Sequence, residues 1–320
     1  MREFTWIKKA RDLFGDAHDG APVGIGDDCA VLELDGETLV STDTVVDGVH
    51  LDLHLITHED AGWRALAVAL SDLAAGGVDP RRPIHALVSL QAPAKCGDEQ
   101  YLELARGLLA CAQSHGCHIV GGDTVTTPGP LALTITVIGS TDRPVLRRGA
   151  RVGDLVVVTG PLGAAGVGLS ALRAGLSDPD AEACATAYRH PRAQLEIGEQ
   201  LAPAATAMID ISDGLLQDLG HICEASRVGA DIVWERLPVD AATRHTASRL
   251  EMDPIETAAT FGDDYQLLAC IPPTGLEELH NRIPGLTEIG CVTRGSEIRL
   301  LRGGQPLEFT RRGYEHGSQE

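Results

Sequence analysis

The stretch Met208-Ile209-Asp210-Ile211-Ser212-Asp213-Gly214-Leu215-Leu216-Gln217-Asp218-Leu219-Gly220-His221-Ile222-Cys223 decides the fold class. Met208 to Ile211 reads as a strand, and Ser212-Asp213-Gly214 as the turn that follows it. Leu215, Leu216, Leu219, Ile222 and Cys223 then fall on one face of a helix. The same alternation recurs elsewhere. Residues 155–159 form an apolar strand, followed by the turn Gly160-Pro161-Leu162-Gly163 and a helix of small residues. In the first half, residues 38–42 read as a strand that delivers Asp43 to a loop. Trp63, Leu66, Ala67, Leu70, Leu73 and Ala74 repeat at helical spacing over residues 58–74, and Gly76-Gly77 ends that helix. A second helix over residues 99–114 stops at Gly116. A short strand, 117–120, then reaches Gly121-Gly122-Asp123, and residues 131–138 alternate as a strand does. Strand–helix alternation in both halves predicts an α/β (α+β) protein.

A length of 320 residues suffices for two domains, each with its own core. Arg143, Arg147, Arg148 and Arg151 crowd a stretch of otherwise different character, so the boundary is expected there, giving domains 1–142 and 143–320. Aromatic residues make up only 3% of the chain, so Ala, Val, Leu and Ile must build the cores. The net charge of −20 argues against a nucleic-acid backbone or an anionic membrane as the natural partner. The N-terminus lacks an apolar signal core, and the uncharged stretches 124–141 and 155–172 are broken by Gly and Pro. Eight scattered cysteines without a C-x-x-C pair read as reduced thiols, so the expected location is the cytoplasm. The tight cluster Cys111, His115, Cys117 and His118 fits no common zinc spacing.

Six segments place carboxylates among Gly, Ser or Thr: Gly26-Asp27-Asp28, Ser41-Thr42-Asp43, Ser71-Asp72, Gly121-Gly122-Asp123, Asp210-Ile211-Ser212-Asp213-Gly214 and Gly262-Asp263-Asp264. Each alone is ordinary turn or cap chemistry. Jointly they are not, because converging carboxylates repel one another unless hard divalent cations with oxygen ligands offset the charge. Asp72 strengthens this reading, since the last turn of a helix disfavours a carboxylate by a few tenths to about 1 kcal/mol. Mg²⁺ with phosphates is the chemistry implied. Cys29 occupies the third-glycine place of the Gly24-Ile25-Gly26 stretch, which excludes a dinucleotide fingerprint, and no Gly-Lys-Ser/Thr follows Gly160 to Gly168. Bound ATP would therefore be neutralised by metal and arginine, without a Walker lysine.

The ordered motifs GIGDDCAVL (24–32), STDTVVDGVH (41–50), ALSDLAAGGVDP (69–80), IVGGDT (119–124), RRGARVGD (147–154), VTGPLG (158–163), IDISDGLLQDLGH (209–221) and GDDYQL (262–267) resemble the thiamine-monophosphate kinases over nearly the whole chain. The wider superfamily, that of aminoimidazole ribonucleotide synthetase, shares the acidic ATP site. The resemblance implies transfer of the γ-phosphoryl group of ATP to thiamine monophosphate. It further implies that Asp28, Ser41, Thr42, Asp43, Asp72, Asp123, Asp210 and Asp213 surround several Mg²⁺ ions. Gly122, Asp123, Arg147 and Ser212 would lie against ATP, and His50, Asp263 and Phe309 against the thiamine phosphate. The fold it implies is a two-domain one whose N-terminal domain dimerises through β-strands. Two departures stand out. Asp263 replaces the usual glutamate, and the register around Phe309 and Arg311-Arg312-Gly313-Tyr314 differs from the family ending, with Gly317 in place of a closing aromatic. A phosphate monoester has a second pKa of about 6, so it attacks without a general base, and none is assigned. The competing readings are another ATP-dependent enzyme of the superfamily, such as a cyclo-ligase, and a non-catalytic nucleotide or metal sensor.

Overall fold

The structure is a computed structural model of the chain and describes residues 3–15, 17–25, 29–307 and 313–314. It divides into two compact units, Met1–Leu73 with Val78–Asp142, and Ala74–Gly77 with Arg143–Glu320. Asp28 and Phe309 lie outside the described residues.

The first unit runs α1 (Glu3–Phe14), β1 (Glu37–Val46), α2 (His58–Ala75), β2 (Ile84–Pro93), α3 (Asp98–His115), β3 (Cys117–Thr127) and β4 (Ala132–Thr141). Its four strands form one sheet in the order β1-β4-β2-β3. The β2–β3 pair is parallel, as the intervening helix α3 requires, and the other pairs are antiparallel. Helix α2 ends as expected on its glycines: the Val78 N–H bonds Leu73 O at 3.0 Å and the Gly77 N–H bonds Ala74 O at 3.0 Å. Leu133, Ile135 and Val137 turn one face of the sheet into the core, at 0–1% exposure.

Two strands run further than local sequence suggests. Thr44, Val45 and Val46 are β-branched and pair with Thr134, Leu133 and Ala132, so β1 continues and Asp43 sits inside a strand, opposite Ile135. Asp123 is likewise within β3, opposite Ser89, after a register shift of that pairing between Ala86 and Leu87. Both acidic segments are strand residues, not loop residues.

One row across the sheet is unusual. His85 of β2 is opposite His118 of β3, and its side chain is completely buried. The His118 ring stacks on His18 with centroids 4.7 Å apart and lies 6.2 Å from His85. His18 belongs to a small bridge with Ala21.

The second unit runs β5 (Leu155–Val158), α4 (Ala164–Ala174), α5 (Pro179–Arg189), α6 (Leu195–Leu201), β6 (Ala207–Asp210), α7 (Leu215–Ser226), β7 (Gly229–Val233), α8 (Ala241–Arg249), α9 (Pro254–Thr260), β8 (Leu267–Ile271), α10 (Leu276–Arg282), β9 (Thr287–Thr293), β10 (Ile298–Arg302) and β11 (Gln305–Leu307). Its seven-stranded mixed sheet has the order β11-β10-β7-β9-β5-β8-β6. The α7 stripe Leu215, Leu216, Leu219, Ile222 and Cys223 is buried in one cluster with Val156, Val158, Ile209, Leu268 and Ile289. The core is aliphatic, as the scarcity of aromatics requires. Among the described residues no helix is long and apolar enough to cross a membrane.

Candidate functional site

In the first unit the Ser41 hydroxyl donates a hydrogen bond to Asp72 Oδ2, joining β1 to the last turn of α2. Asp43 lies two residues along β1 on the same face as Ser41, and its Oδ1 accepts the Thr44 N–H at 2.7 Å. The carboxylate set against the α2 dipole thus faces a hydroxyl and shares a sheet face with a second carboxylate. Thr42 points the other way: its Oγ1 is 3.1 Å from that of Thr136, so only its backbone shares the Ser41 side.

Asp123 does not join this group within the unit. Its row is Ser89, Thr134 and Thr44, whose hydroxyls at Thr134 and Thr44 are 2.8 Å apart. That row is on the opposite face from Ser41 and Asp43, and β3 is three strand spacings, roughly 14 Å, from β1. Gly122 and Asp123 are both exposed, and Asp123 Oδ1 accepts the Thr124 N–H at 2.8 Å. His50 is held by the loop after β1. Its Nδ1 accepts the Val46 N–H at 3.2 Å, which puts the neutral ring's proton on Nε2.

The second unit brings more of the expected residues together. Two acidic loops are zipped side by side by backbone bonds: Asp263 N–H to Ser212 O at 2.8 Å, Tyr265 N–H to Ile211 O at 2.9 Å, and Ile211 N–H to Gln266 O at 2.8 Å. Gly262 permits this approach, because a Cβ there would stand 1.9 Å from Ser212 O. Asp263 adopts a left-handed φ of 67°, and its Oδ1 accepts the Tyr265 hydroxyl at 3.0 Å. Asp210, at the end of β6, is 3% exposed. Asp210, Ser212, Asp213 and Asp263 therefore share one end of the sheet. The C-terminal segment reaches the same place, with the Tyr314 N–H bonding Asp213 O at 2.9 Å. Arg147 is exposed beside the start of β6, where Leu146 O accepts the Met208 N–H at 3.1 Å. Met208 precedes Asp210 by two residues, a step of about 7 Å along the strand.

Two further carboxylates organise these loops, and sequence reasoning assigned neither a role. Asp218 Oδ2 accepts the N–H groups of Ser212, Asp213 and Gly214 at 3.0, 3.1 and 3.1 Å. Burial, with Asp210 and Asp213 close by, pushes its carboxyl up to about 8. Asp264 Oδ2 accepts the Gly163 N–H at 2.8 Å at the start of α4, and burial pushes it to about 8 as well. A cavity of about 190 Å³ adjoins Asp263, lined by Asp240, Asp264, Cys184, Thr243 and the alanines of α4 and α5.

The donor set fits a divalent cation. Asp213, Asp218 and His221 offer ligand atoms within 4.8 Å of one another, and the neighbouring Asp210 adds further negative charge there. The thiol–imidazole cluster lies elsewhere, in α3 and the start of β3. His115 Nδ1 bonds Cys111 O at 2.8 Å, and burial pushes the Cys111 thiol far up and Cys117 to about 12.

Residues 26–141 match the family model AIR synthase related protein, N-terminal domain, and residues 151–301 match the corresponding C-terminal domain. The fold and the acidic loops are thus those of an AIR synthase related protein. Over 331 aligned residues the chain is 33% identical to the thiamine-monophosphate kinase of Haemophilus influenzae, covering 99% of this chain and 98% of that one. It is 31% identical to the crystal structure of thiamine-monophosphate kinase from Stenotrophomonas maltophilia K279a, with a TM-score of 0.83 and coverage of 96% and 98%. A structure of AaThiL complexed with AMPPCP and TMP superposes with a TM-score of 0.79 at 30% identity, covering 87% of each chain. The chain belongs to the thiamine-monophosphate kinase family.

Proposed function

We propose that the chain transfers the γ-phosphoryl group of ATP to thiamine monophosphate, forming thiamine diphosphate and ADP. Family membership supports the reaction. The observation that carries it at the level of this chain is the pairing of the Ser212-Asp213 and Asp263 loops around buried Asp210 and Asp218. Such a site accommodates anionic phosphates only when cations accompany them.

In the second unit Asp210 and Asp213 would hold Mg²⁺; in the first, Ser41, Asp43, Asp72 and the Thr42 backbone would do so on one face of the sheet, with Asp123 apart from them on the other. Asp28, outside the described residues, is assigned by the family resemblance. When bound, the metal supplies charge neutralisation and alignment of the two phosphates. Arg147 and Ser212 contact the nucleotide, with Gly122 and Asp123. His50 donates from Nε2 to the acceptor phosphate, and Asp263 faces the acceptor beside the alanine-walled cavity. The shorter Asp263 has a left-handed backbone and accepts the Tyr265 hydroxyl. The acceptor is already largely a dianion near neutral pH, so attack is direct and in line, with no phosphoenzyme.

Incubation with ATP, Mg²⁺ and thiamine monophosphate is expected to yield thiamine diphosphate and ADP in equal amounts. Consumption of ATP without thiamine diphosphate would refute the reading, and a trapped phosphorylated residue during turnover would refute direct transfer. The same reading makes the protein a cytoplasmic homodimer. The edge strands β1 and β3 each have one strand neighbour among the described residues, which supports pairing with a second copy.

A further inference from the structure

We propose that Ser226, the last residue of α7, is a positioning residue that holds Arg147 ready for the polyphosphate of ATP. The proposal rests on the nucleotide-dependent reading above. Serine at a helix C-terminus ordinarily has its hydroxyl in water or bonded back to its own helix. Here the hydroxyl serves another segment. Ser226 Oγ accepts the Gly149 N–H at 3.0 Å and the Ala150 N–H at 3.1 Å, and donates to Arg147 O at 3.4 Å. One proton and two lone pairs are the whole capacity of a hydroxyl, and all three are committed to Arg147, Gly149 and Ala150.

The loop has little freedom to substitute for this anchor. Gly149 takes a φ of +127°, and a Cβ there would lie 2.3 Å from Thr206 O, so the chain passes with its backbone against a carbonyl. On the other side Leu146 O receives the Met208 N–H. Arg147 is bracketed as a result: the residue before it is clamped to β6, and its own carbonyl is clamped to α7. Its side chain is exposed. A guanidinium on a fixed backbone loses less freedom on meeting a phosphate than one on a loose loop, so the anchor contributes to nucleotide affinity without touching the nucleotide.

The helix that carries Ser226 also carries Asp218, which organises the Ser212-Asp213-Gly214 turn at its other end. Both nucleotide-facing segments of the second unit are therefore referenced to α7. A merely structural serine would stabilise the fold alone. A positioning serine must act through Arg147, and the two are separated by a double-mutant cycle.

The test compares Ser226→Ala, Ser226→Thr, Arg147→Ala and the double variant, measuring KM for ATP, kcat and thermal midpoint in full-length protein. Ser226→Ala is expected to raise KM for ATP about five- to twentyfold with kcat changed less than about twofold, and Ser226→Thr to restore KM to within about twofold. In the Arg147→Ala background Ser226→Ala is expected to add nothing to KM, while its effect on the thermal midpoint persists. If Ser226→Ala folds poorly, Ser226→Cys, with a weakly hydrogen-bonding thiol, is expected to give the same rise. An unchanged KM in the single variants, or a Ser226 effect that adds in full without Arg147, overturns the proposal. A wild-type protein that forms no thiamine diphosphate overturns the kinase reading itself, and the proposal falls with it.

Discussion

Asp218 gathers three successive N–H groups onto one carboxylate oxygen and so sets the shape of the turn that presents Ser212 and Asp213. Removing it strands three donors in a buried place. Asp218→Ala is expected to cost about 2–4 kcal/mol in urea denaturation, and Asp218→Asn clearly less, because an amide oxygen still accepts. Equal losses in the two variants would contradict this. Asp72 has a different duty. Its partner Ser41 is satisfied by an amide oxygen as well, so Asp72→Asn is expected to fold with a thermal midpoint within about 3 °C of wild type. Turnover should fall by at least about a hundredfold if Asp72 holds the metal as proposed, because the substitution removes a ligand charge. Near-normal rates at saturating Mg²⁺ would count against its assignment. Asp72 could be singled out in the sequence because it opposes its helix dipole. Asp218 could not, since a polar residue in the first turn of a helix is ordinary, and its role comes from the turn whose N–H groups it gathers.

Among the elements, helices were the most legible. The stripes of α2 and α7 and the glycines that stop α2 and α3 are local signals, and local physics decides them. Strand ends were not. The lengths of β1 and β3 are set by partners 86–104 and 33–34 residues away, so Asp43 and Asp123 are found inside strands where the sequence suggested loops. The histidine row of β2 and β3 was also invisible, because His85 and His118 meet only through the pairing of two strands separated by α3. It has a measurable consequence. Burial, then the neighbouring His118 and His18, pushes His85 down to about 4, against an ordinary value of 6.5, while Asp19 opposes the shift. Below about pH 6.5 the unfolded chain takes up a proton that folded His85 refuses, so stability falls as pH drops toward 4. From pH 7 to pH 5 the loss through this group is about 2 kcal/mol. His85→Leu should show a correspondingly shallower decline in urea midpoint over that range. Identical slopes for the two proteins would rule out a role for this residue.

For the whole molecule, composition anticipated an aliphatic core, and strand–helix alternation an α/β protein, but neither gave the strand order of either sheet. β5 pairs with β8 and β9, more than 100 residues later, and no local pattern encodes such a choice. A homodimer paired through the first unit is expected to sediment at twice the chain mass. Val40, 62% exposed on edge strand β1, offers the test: Val40→Lys should shift the protein toward monomer at micromolar concentration. Sedimentation of wild type as a monomer would remove the dimer from the account. The interlocked turns at Ser212 and Asp263 carry a last consequence. Neither can lift from the sheet without breaking bonds that also hold the other, so the groups facing nucleotide and acceptor open and close as one cooperative unit. Deuterium should therefore enter the Asp263 and Tyr265 amides at a single common rate, slowed to the same degree whichever of the two ligands is added.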